Sequence, residues 1–477
     1  MNDYRLSFYT IFIKLDNSKG KYMLVHGYTG AIDIASEKLV ACLRSGEPFS
    51  AEDATFSAEI LQSLIDRGYI TQKTEEQERT FVQKMADVYH RQHKLLSSFT
   101  FLVTYNCNFR CPYCYEGGVS DSGRQWSGAV FTKEMVDNAY KAIEQIQPDE
   151  KRRVQPVPGE GGGLGPGRAL GEPLLAENKE IVSYIVSEGR KQKFEFAAVT
   201  NGYDLDHYLD LLGDDGINWL QITIDGMKEW HDSRRIHYRT TASFDRIVRN
   251  IGLALDKGVT IVVRMNTDAR NFADAEKLDQ LFRELGYYKD KKLSISSALL
   301  VGGYDQKSDK GNNEDSRKID YLTRPAFNRL HKQSSENIIC QDSGIMNNIY
   351  RAIRKRQTLP VHAVFCQSQT GSYILDPFGD MYACWDVVGK PEHVIGHFAP
   401  EVTWSDEMKN WQERNIGNTE KCSRCKYALL CGGGCLGKAL GQKGSFTASY
   451  CDAYPDTFHM MANKAYSKYL RKQNNPK

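Results

Sequence analysis

Apolar positions along the chain change their period several times, and each change marks a segment. Phe8–Leu15 and Lys21–His26 are two short apolar runs split by the turn-rich Asp16–Asn17–Ser18–Lys19–Gly20, the pattern of a β-hairpin. Helical spacing follows over Ile34–Leu43 and over Ala51–Arg67, where Gly68 stands as a C-capping glycine. Short strands with two or three helices predict a winged-helix-like unit over 1–75. Residues 76–97 are rich in Glu, Gln, Lys and His, with apolar residues spaced at Phe81, Met85 and Val88, which predicts a solvated linker helix. Beyond it, strand-like runs at Phe99–Thr104, Phe194–Thr200, Trp219–Ile224, Val259–Asn266 and Leu293–Leu300 alternate with helical patterns at Lys133–Ile146, Asp204–Leu212, Phe244–Lys257 and Ala273–Leu285. Repeated βα units predict an α/β fold, a parallel sheet covered by helices and curved into a partial (β/α)6 barrel over 98–330. Functional residues in such a sheet lie at the C-terminal strand ends. Residues 301–335 are polar and loop-like, and 335–470 are rich in cysteine and glycine and poor in long periodic segments, as in a small domain stapled by metal.

One tract breaks the alternation. Val154–Ala169 is dominated by glycine and proline where the pattern would place a buried strand. Proline removes ladder hydrogen bonds and glycine offers no side chain to bury. The expectation is an irregular loop that leaves a gap in the barrel beside Gly171.

Composition narrows the function classes. The 477 residues carry 62 Lys+Arg against 60 Asp+Glu, a formal net charge of +2, which gives no electrostatic footprint for nucleic acid or an anionic membrane. No apolar run approaches the ~18 residues of a membrane helix, and Met1–Tyr4 lacks the basic start of a signal peptide. A cytoplasmic location is expected. There, 12 cysteines point to metal binding or core packing rather than disulfides.

The cysteines fall into two groups. Cys107-x3-Cys111-x2-Cys114, with Tyr113 before the last thiol, follows the first βα strand. Three thiolates so close can hold three irons of a [4Fe–4S] cluster and leave the fourth open; a zinc knuckle would need a fourth ligand. The second group is Cys366-x12-Gly379-x4-Cys384, then Cys422-x2-Cys425-x5-Cys431-x3-Cys435, then Cys451. Cys42 and Cys340 stand apart.

Cys107–Asn108–Phe109–Arg110–Cys111–Pro112–Tyr113–Cys114–Tyr115–Glu116 resembles the radical S-adenosylmethionine (SAM) enzymes, and the resemblance extends over the βα units to about residue 300. It implies that the open iron chelates SAM and that reductive cleavage yields a 5′-deoxyadenosyl radical. Gly171–Glu172–Pro173 resembles the family's Gly-Gly-Glu-Pro motif for the SAM amino group, with Leu170 in place of its first glycine. By the same resemblance Asn201 in Thr200–Asn201–Gly202, Thr223 before Asp225, and Arg264 and Asn266 on the next strand line the SAM site, together with Tyr113.

The second cysteine group resembles the SPASM domain, which implies two auxiliary [4Fe–4S] clusters, three clusters in all. The resemblance gives Cys366, Cys384 and Cys435 to auxiliary cluster I, with Cys340 or a substrate thiolate as its fourth ligand, and Cys422, Cys425, Cys431 and Cys451 to auxiliary cluster II. Residues 5–72, with Tyr28–Asp33, resemble the PqqD-like recognition element that binds the leader of a ribosomally made precursor peptide by adding a strand to a sheet edge. The whole is similar to the ranthipeptide (six-cysteine-type) maturases. That implies thioether formation between a Cys sulfur and an acceptor side-chain carbon, with a precursor peptide and an electron donor such as flavodoxin or ferredoxin as partners. Sulfatase-maturing-type or carbon–carbon cross-linking enzymes, and a non-enzymatic metal scaffold, are the alternatives.

Overall fold

The computed structural model describes residues 4–46, 57–114, 128–152, 171–301, 319–334 and 338–474. The Gly/Pro tract Val154–Ala169 lies outside the described residues, as does Leu170.

The N-terminal unit holds β1 (Arg5–Leu6), β2 (Thr10–Lys14), β3 (Lys21–His26), β4 (Ile32–Ser36), α1 (Glu37–Leu43), α2 (Ala58–Asp66) and β5 (Ile70–Thr71). β2, β3 and β4 form an antiparallel meander, and β1 pairs with β5. Ile34, expected in a helix, instead lies on β4; α1 begins only at Glu37, where the Ser36 side chain accepts from Leu39 N. Likewise α2 starts at Ala58 because Ser57 caps it. Strand period sorts the apolar residues to two faces. Phe12, Tyr22 and Leu24 pack on Val40, Leu43, Leu61 and Leu64, while Ile11, Ile13, Met23 and Val25 pack on C-terminal residues including Ile349, Phe458 and Ala462. The β3–β4 turn touches the C-terminal region through backbone: Leu359 N donates to Gly30 O at 2.7 Å, and a Cβ at Gly30 would lie 2.3 Å from Leu359 O.

α3 (Glu75–His93) begins with a capping box at Thr74 and Gln77. It is more than a solvated connector. Phe81 and Val88 are exposed, and the buried face runs instead through Glu78, Val82, Ala86 and His90, one residue per turn. The fully buried Glu78 carboxylate pairs with Arg5 at 2.7 Å and accepts from Phe8 N, Ser7 Oγ and Tyr28 OH. At the other end His90 Nε2 lies 3.1 Å from Gln369 O. The helix thus ties the N-terminal unit to the C-terminal region through polar side chains that a hydrophobic period does not register.

The central part runs β6 (Ser98–Phe101), α4 (Lys133–Ile146), α5 (Lys179–Lys191), β7 (Phe196–Thr200), β8 (Ile217–Thr223), α6 (Lys228–Arg234), α7 (Phe244–Asp256), β9 (Thr260–Thr267), α8 (Asp274–Glu284), β10 (Leu293–Leu299), α9 (Arg324–Gln333) and β11 (Ile338–Cys340). β7 to β11 form one parallel sheet in sequential order, with an apolar core shared with the helices. The helix expected over Asp204–Leu212 is a single 3-10 turn, Leu205–Tyr208. α9 occupies part of the stretch read as loop; Thr323 caps it and Pro325 sits in its first turn.

β6 does not join that sheet among the described residues. It pairs in parallel with β12 (Ser372–Leu375), in a second sheet completed by β13 (Asp380–Tyr382), β14 (Gly396–His397) and β15 (Thr403–Trp404). The C-terminal region also contains α10 (Ser343–Lys355), α11 (Glu407–Gln412), α12 (Ala428–Cys431), α13 (Leu436–Lys443) and α14 (Tyr454–Asn474). α10 and the 21-residue α14 correct the expectation of few long elements here. α14 buries Phe458, Met461, Ala462 and Ala465, so its apolar face is spread among lysines and tyrosines rather than concentrated in a run. No described helix is long and apolar enough to cross a membrane.

Replacing Glu78 by Ala is expected to lower the unfolding free energy by about 2 kcal/mol, the cost of stranding buried donors. A denaturant melt checks it; an unchanged midpoint would show that α3 is a passive connector.

Candidate active site and cysteine groups

The Cys107–Cys114 loop leaves the end of β6 held on two sides. On one, Cys107 N donates to Asn106 Oδ1 at 2.9 Å and Asn106 N to Thr104 Oγ1 at 3.0 Å. On the other, Arg110 N donates to Ile236 O at 2.8 Å and Tyr238 N to Asn108 O at 2.9 Å, around a bridge between Phe109 and His237. The Asn108 side chain spans to the sheet, accepting from Asn201 Nδ2 at 2.7 Å and donating to Asp204 at 3.1 Å. Cys114 N closes a turn on Cys111 O at 3.0 Å.

Gly171 is pressed directly onto this loop. Its φ is +66°, and a Cβ would lie 2.0 Å from Thr104 O, so the position admits glycine alone. Glu172 N then donates to Asn106 O at 2.8 Å. The buried Glu172 carboxylate accepts from Thr200 Oγ1 at 2.6 Å, Asn201 N at 2.6 Å and Leu174 N at 3.0 Å. Burial pushes its pKa up to about 7 against these hydrogen bonds. Glu172 therefore braces the loop against the end of β7. Pro173 follows outside the cleft lining, its carbonyl accepting from Asn178 Nδ2 at 3.3 Å.

Cys107, Cys111 and Cys114 line one open cleft with Tyr113, Gly171, Glu172, Asn201, Thr223, Arg264 and Asn266. Leu299, Leu300 and Val301 add an apolar part to its lining. Tyr113 OH donates to Asp225, whose other oxygen accepts from Asn266 N at 3.1 Å; Arg235 Nη1 reaches Tyr113 OH at 3.2 Å. Arg264 Nε donates to Asn266 Oδ1 at 3.0 Å. Burial and then Asp225 raise the Tyr113 pKa, so the phenol keeps its proton. Burial opposes the charge on Arg235, yet Tyr113, Cys111 and Asp225 hold its pKa above the ordinary value. Sequence reasoning placed Asp225 at a strand end without a role and missed Arg235, which lies beyond α6 in no motif.

The C-terminal cysteines are sorted by the fold. None of the twelve cysteines is in a disulfide. The thiols of Cys366, Cys384 and Cys435 act electrostatically on one another, and so do those of Cys422, Cys425, Cys431 and Cys451. Burial pushes Cys431 and Cys435 up to about 12 and Cys422 up to about 11. Cys340 does not join Cys366, Cys384 and Cys435. β11 carries it onto β10, among Leu299, Phe327, Met460 and Met461, with Asp342, Arg324 and Lys464 as its charged neighbours. Cys42 packs at the edge of the N-terminal core.

Residues 101–282 match the Radical SAM superfamily. The chain carries a radical SAM domain. Among curated relatives, a GTP 3′,8-cyclase of Vibrio atlanticus is 26% identical over 48% of this chain and 61% of its own length. A probable GTP 3′,8-cyclase of Methanococcus maripaludis is 29% identical over 30% of this chain and 39% of its own. The chain thus spans less than two thirds of the curated relatives it matches. Among solved structures, native anSMEcpe with bound AdoMet aligns over 80% of this chain and all of that one, at 17% identity and TM-score 0.55; the likeness is one of fold. A further structure of the same protein holds AdoMet and the Cp18Cys peptide.

The residues of this cleft fit the groups that the Radical SAM superfamily uses. Three thiols on one loop form a donor set that leaves an iron open. The buried Nε of Arg235, a residue of the same lining, has no hydrogen-bond partner among the described residues, a donor left for an acceptor on a bound group. No three described His, Cys, Asp or Glu side chains converge on a single ion; a cubane cluster needs wider spacing, since each sulfur meets a different iron.

Gly171→Ala is expected to weaken SAM binding at least tenfold, since left-handed strain alone costs about 1–3 kcal/mol and the Cβ also collides with Thr104 O. Calorimetry checks this, and wild-type affinity would contradict it. Glu172 has a raised folded pKa, so its protonated form favours the fold. Its stabilisation is full below pH 4.5 and is lost as pH rises through about 7. Melting curves of the unloaded protein should show that decline, and Glu172→Gln should flatten it.

Proposed function

We propose that this radical SAM enzyme is a peptide maturase of the ranthipeptide type, joining a Cys sulfur to a side-chain carbon of an acceptor residue in a ribosomally made precursor. What supports the reading is the nearness of seven C-terminal cysteines in a group of three and a group of four, with a Cβ at Gly437, two residues past Cys435, falling 3.2 Å from Cys384 Sγ. Cys422, Cys425, Cys431 and Cys451 form a complete ligand set for one auxiliary [4Fe–4S] cluster. Cys366, Cys384 and Cys435 form a set one short. With Cys340 held elsewhere by β11, the remaining position is open to the substrate sulfur, and metal ligation would deprotonate and fix that thiol.

Cys107, Cys111 and Cys114 hold the third cluster. Tyr113, Thr223, Arg264 and Asn266 present polar groups to SAM, and Gly171–Glu172 sets the edge of its site. Leu299, Leu300 and Val301 give an apolar wall that excludes water from the reacting carbon. When bound, SAM and the clusters supply the one-electron chemistry: of the two hydrogens lost by the peptide, one leaves in 5′-deoxyadenosine and the other as a proton plus an electron. Clusters held by the C-terminal cysteines would supply an acceptor for that electron, and a flavodoxin or ferredoxin would be the external donor for the one that SAM cleavage consumes. The β2–β3–β4 meander of 1–75 offers a sheet edge on which the precursor leader can add a strand.

Fold likeness to anSMEcpe, solved with a peptide, favours sulfatase-maturing-type oxidation as the second reading. Co-expression with a cysteine-containing precursor separates the two by mass. The thioether reading expects loss of two hydrogens together with one alkylatable thiol. Loss of two hydrogens with every thiol still alkylatable means a carbon–carbon link, and either that or another mass change would overturn it.

A further inference from the structure

A buried guanidinium lies where the two C-terminal cysteine groups meet. Arg414, just past α11, is 2% exposed. Its Nη2 donates to Gly433 O and Ala448 O, each at 3.0 Å, and its Nη1 to Gly434 O at 3.3 Å. Gly433 and Gly434 belong to the loop between Cys431 and Cys435, and Ala448 precedes Cys451. Gly432, Gly433 and Gly434 all have φ between +73° and +86°. Cβ atoms at Gly432 and Gly434 would lie 2.3 Å from Val364 O and 1.8 Å from Tyr450 O. The loop therefore threads between the chain leading to Cys366 and the chain leading to Cys451, and Arg414 clasps it.

Arg414 is also fixed from behind. Gln369 Nε2 donates to Arg414 O at 3.2 Å, and Gln369 N reaches Cys366 O at 3.3 Å. Three of the guanidinium's five donor positions are thus directed at carbonyls, while the buried Nε has no partner among the described residues. Cys366 and Cys435 of one group and Cys422 and Cys431 of the other all act on its charge. No carboxylate pairs with it among the described residues, and the side chains that act on its charge are these cysteines.

We propose that Arg414 is a shared positioning residue that sets the reduction potentials of both auxiliary centres, a role that rests on the cluster assignment made above. Two centres ligated by thiolates are anionic and repel each other, and each gains a further negative charge on reduction. A fixed cation between them in a low-dielectric interior favours the reduced state of both. It thereby makes each a better acceptor of the electron released when the S–C bond forms.

The test is an EPR-monitored redox titration of the fully loaded enzyme, with iron counted in every sample, on wild type, Arg414→Gln and Arg414→Lys. Lys keeps the charge and loses the fork. With iron retained, both auxiliary midpoints should move negative in Arg414→Gln and less so in Arg414→Lys, while the centre at Cys107, Cys111 and Cys114 stays put. Unchanged auxiliary midpoints in an iron-replete Arg414→Gln would overturn the proposal and leave the cluster assignment standing. If Arg414→Gln loses auxiliary iron, retention with near-wild-type midpoints in Arg414→Lys supports the role of charge; loss in both variants overturns it. A wild type carrying only one cluster would instead overturn the assignment on which the proposal rests.

Discussion

Thiol burial without disulfides is the constraint on which the C-terminal half of this protein depends. Cys366, Cys384, Cys431 and Cys435 are held where burial disfavours the thiolate, and none is oxidised to a partner. Buried sulfur of this kind is stable as thiol or as metal ligand, and the backbone around it is shaped for close approach. Of the three left-handed glycines between Cys431 and Cys435, Gly432 and Gly434 let the loop meet Val364 and Tyr450 at distances no side chain would permit. The rest of the region follows from keeping those segments together: α10 and α14 pack on each other and cover the outer face of the N-terminal meander. The N-terminal unit is built onto that surface through β2 and β3 and secured by Glu78.

The cleft at Cys107, Cys111 and Cys114 obeys a related rule. It is assembled less by side chains seeking each other than by backbone pressed on backbone, with Gly171 on Thr104 and Glu172 N on Asn106 O. Polar side chains then lock the contact: Glu172 to the end of β7, Asn108 to Asn201, Tyr113 to Asp225 and Asn266. Most groups that line the cleft therefore also brace it, so substitutions there should disturb binding and loop geometry together.

The sequence was most informative where chemistry demands fixed spacing or where a period is clean. α4 and α7 carry strong amphipathic patterns and appear almost where the pattern puts them. The cysteine spacing singled out Cys107, Cys111 and Cys114, which line one cleft in the fold. The misses have physical causes. β4 looked helical because Ile34–Leu43 spans a strand and a helix with no break but the Ser36 cap. The face of α3 was misread because Glu78 and His90 are buried through hydrogen bonds that hydropathy does not register. β6 reads as an ordinary barrel strand, and only tertiary pairing with β12 shows its partner. Arg235 and Arg414 lie in no motif, and their positions gain meaning only once cysteine loops distant in sequence are seen beside them.

The central claim is that three separate sets of cysteines each hold a [4Fe–4S] cluster. Iron and acid-labile sulfide per chain, after anaerobic reconstitution, test it most directly in wild type and in the triple variant Cys107→Ala, Cys111→Ala, Cys114→Ala. The account predicts about twelve of each in wild type and about eight in the variant. About four in wild type and almost none in the variant would contradict it, leaving the seven C-terminal thiols without the role argued for them.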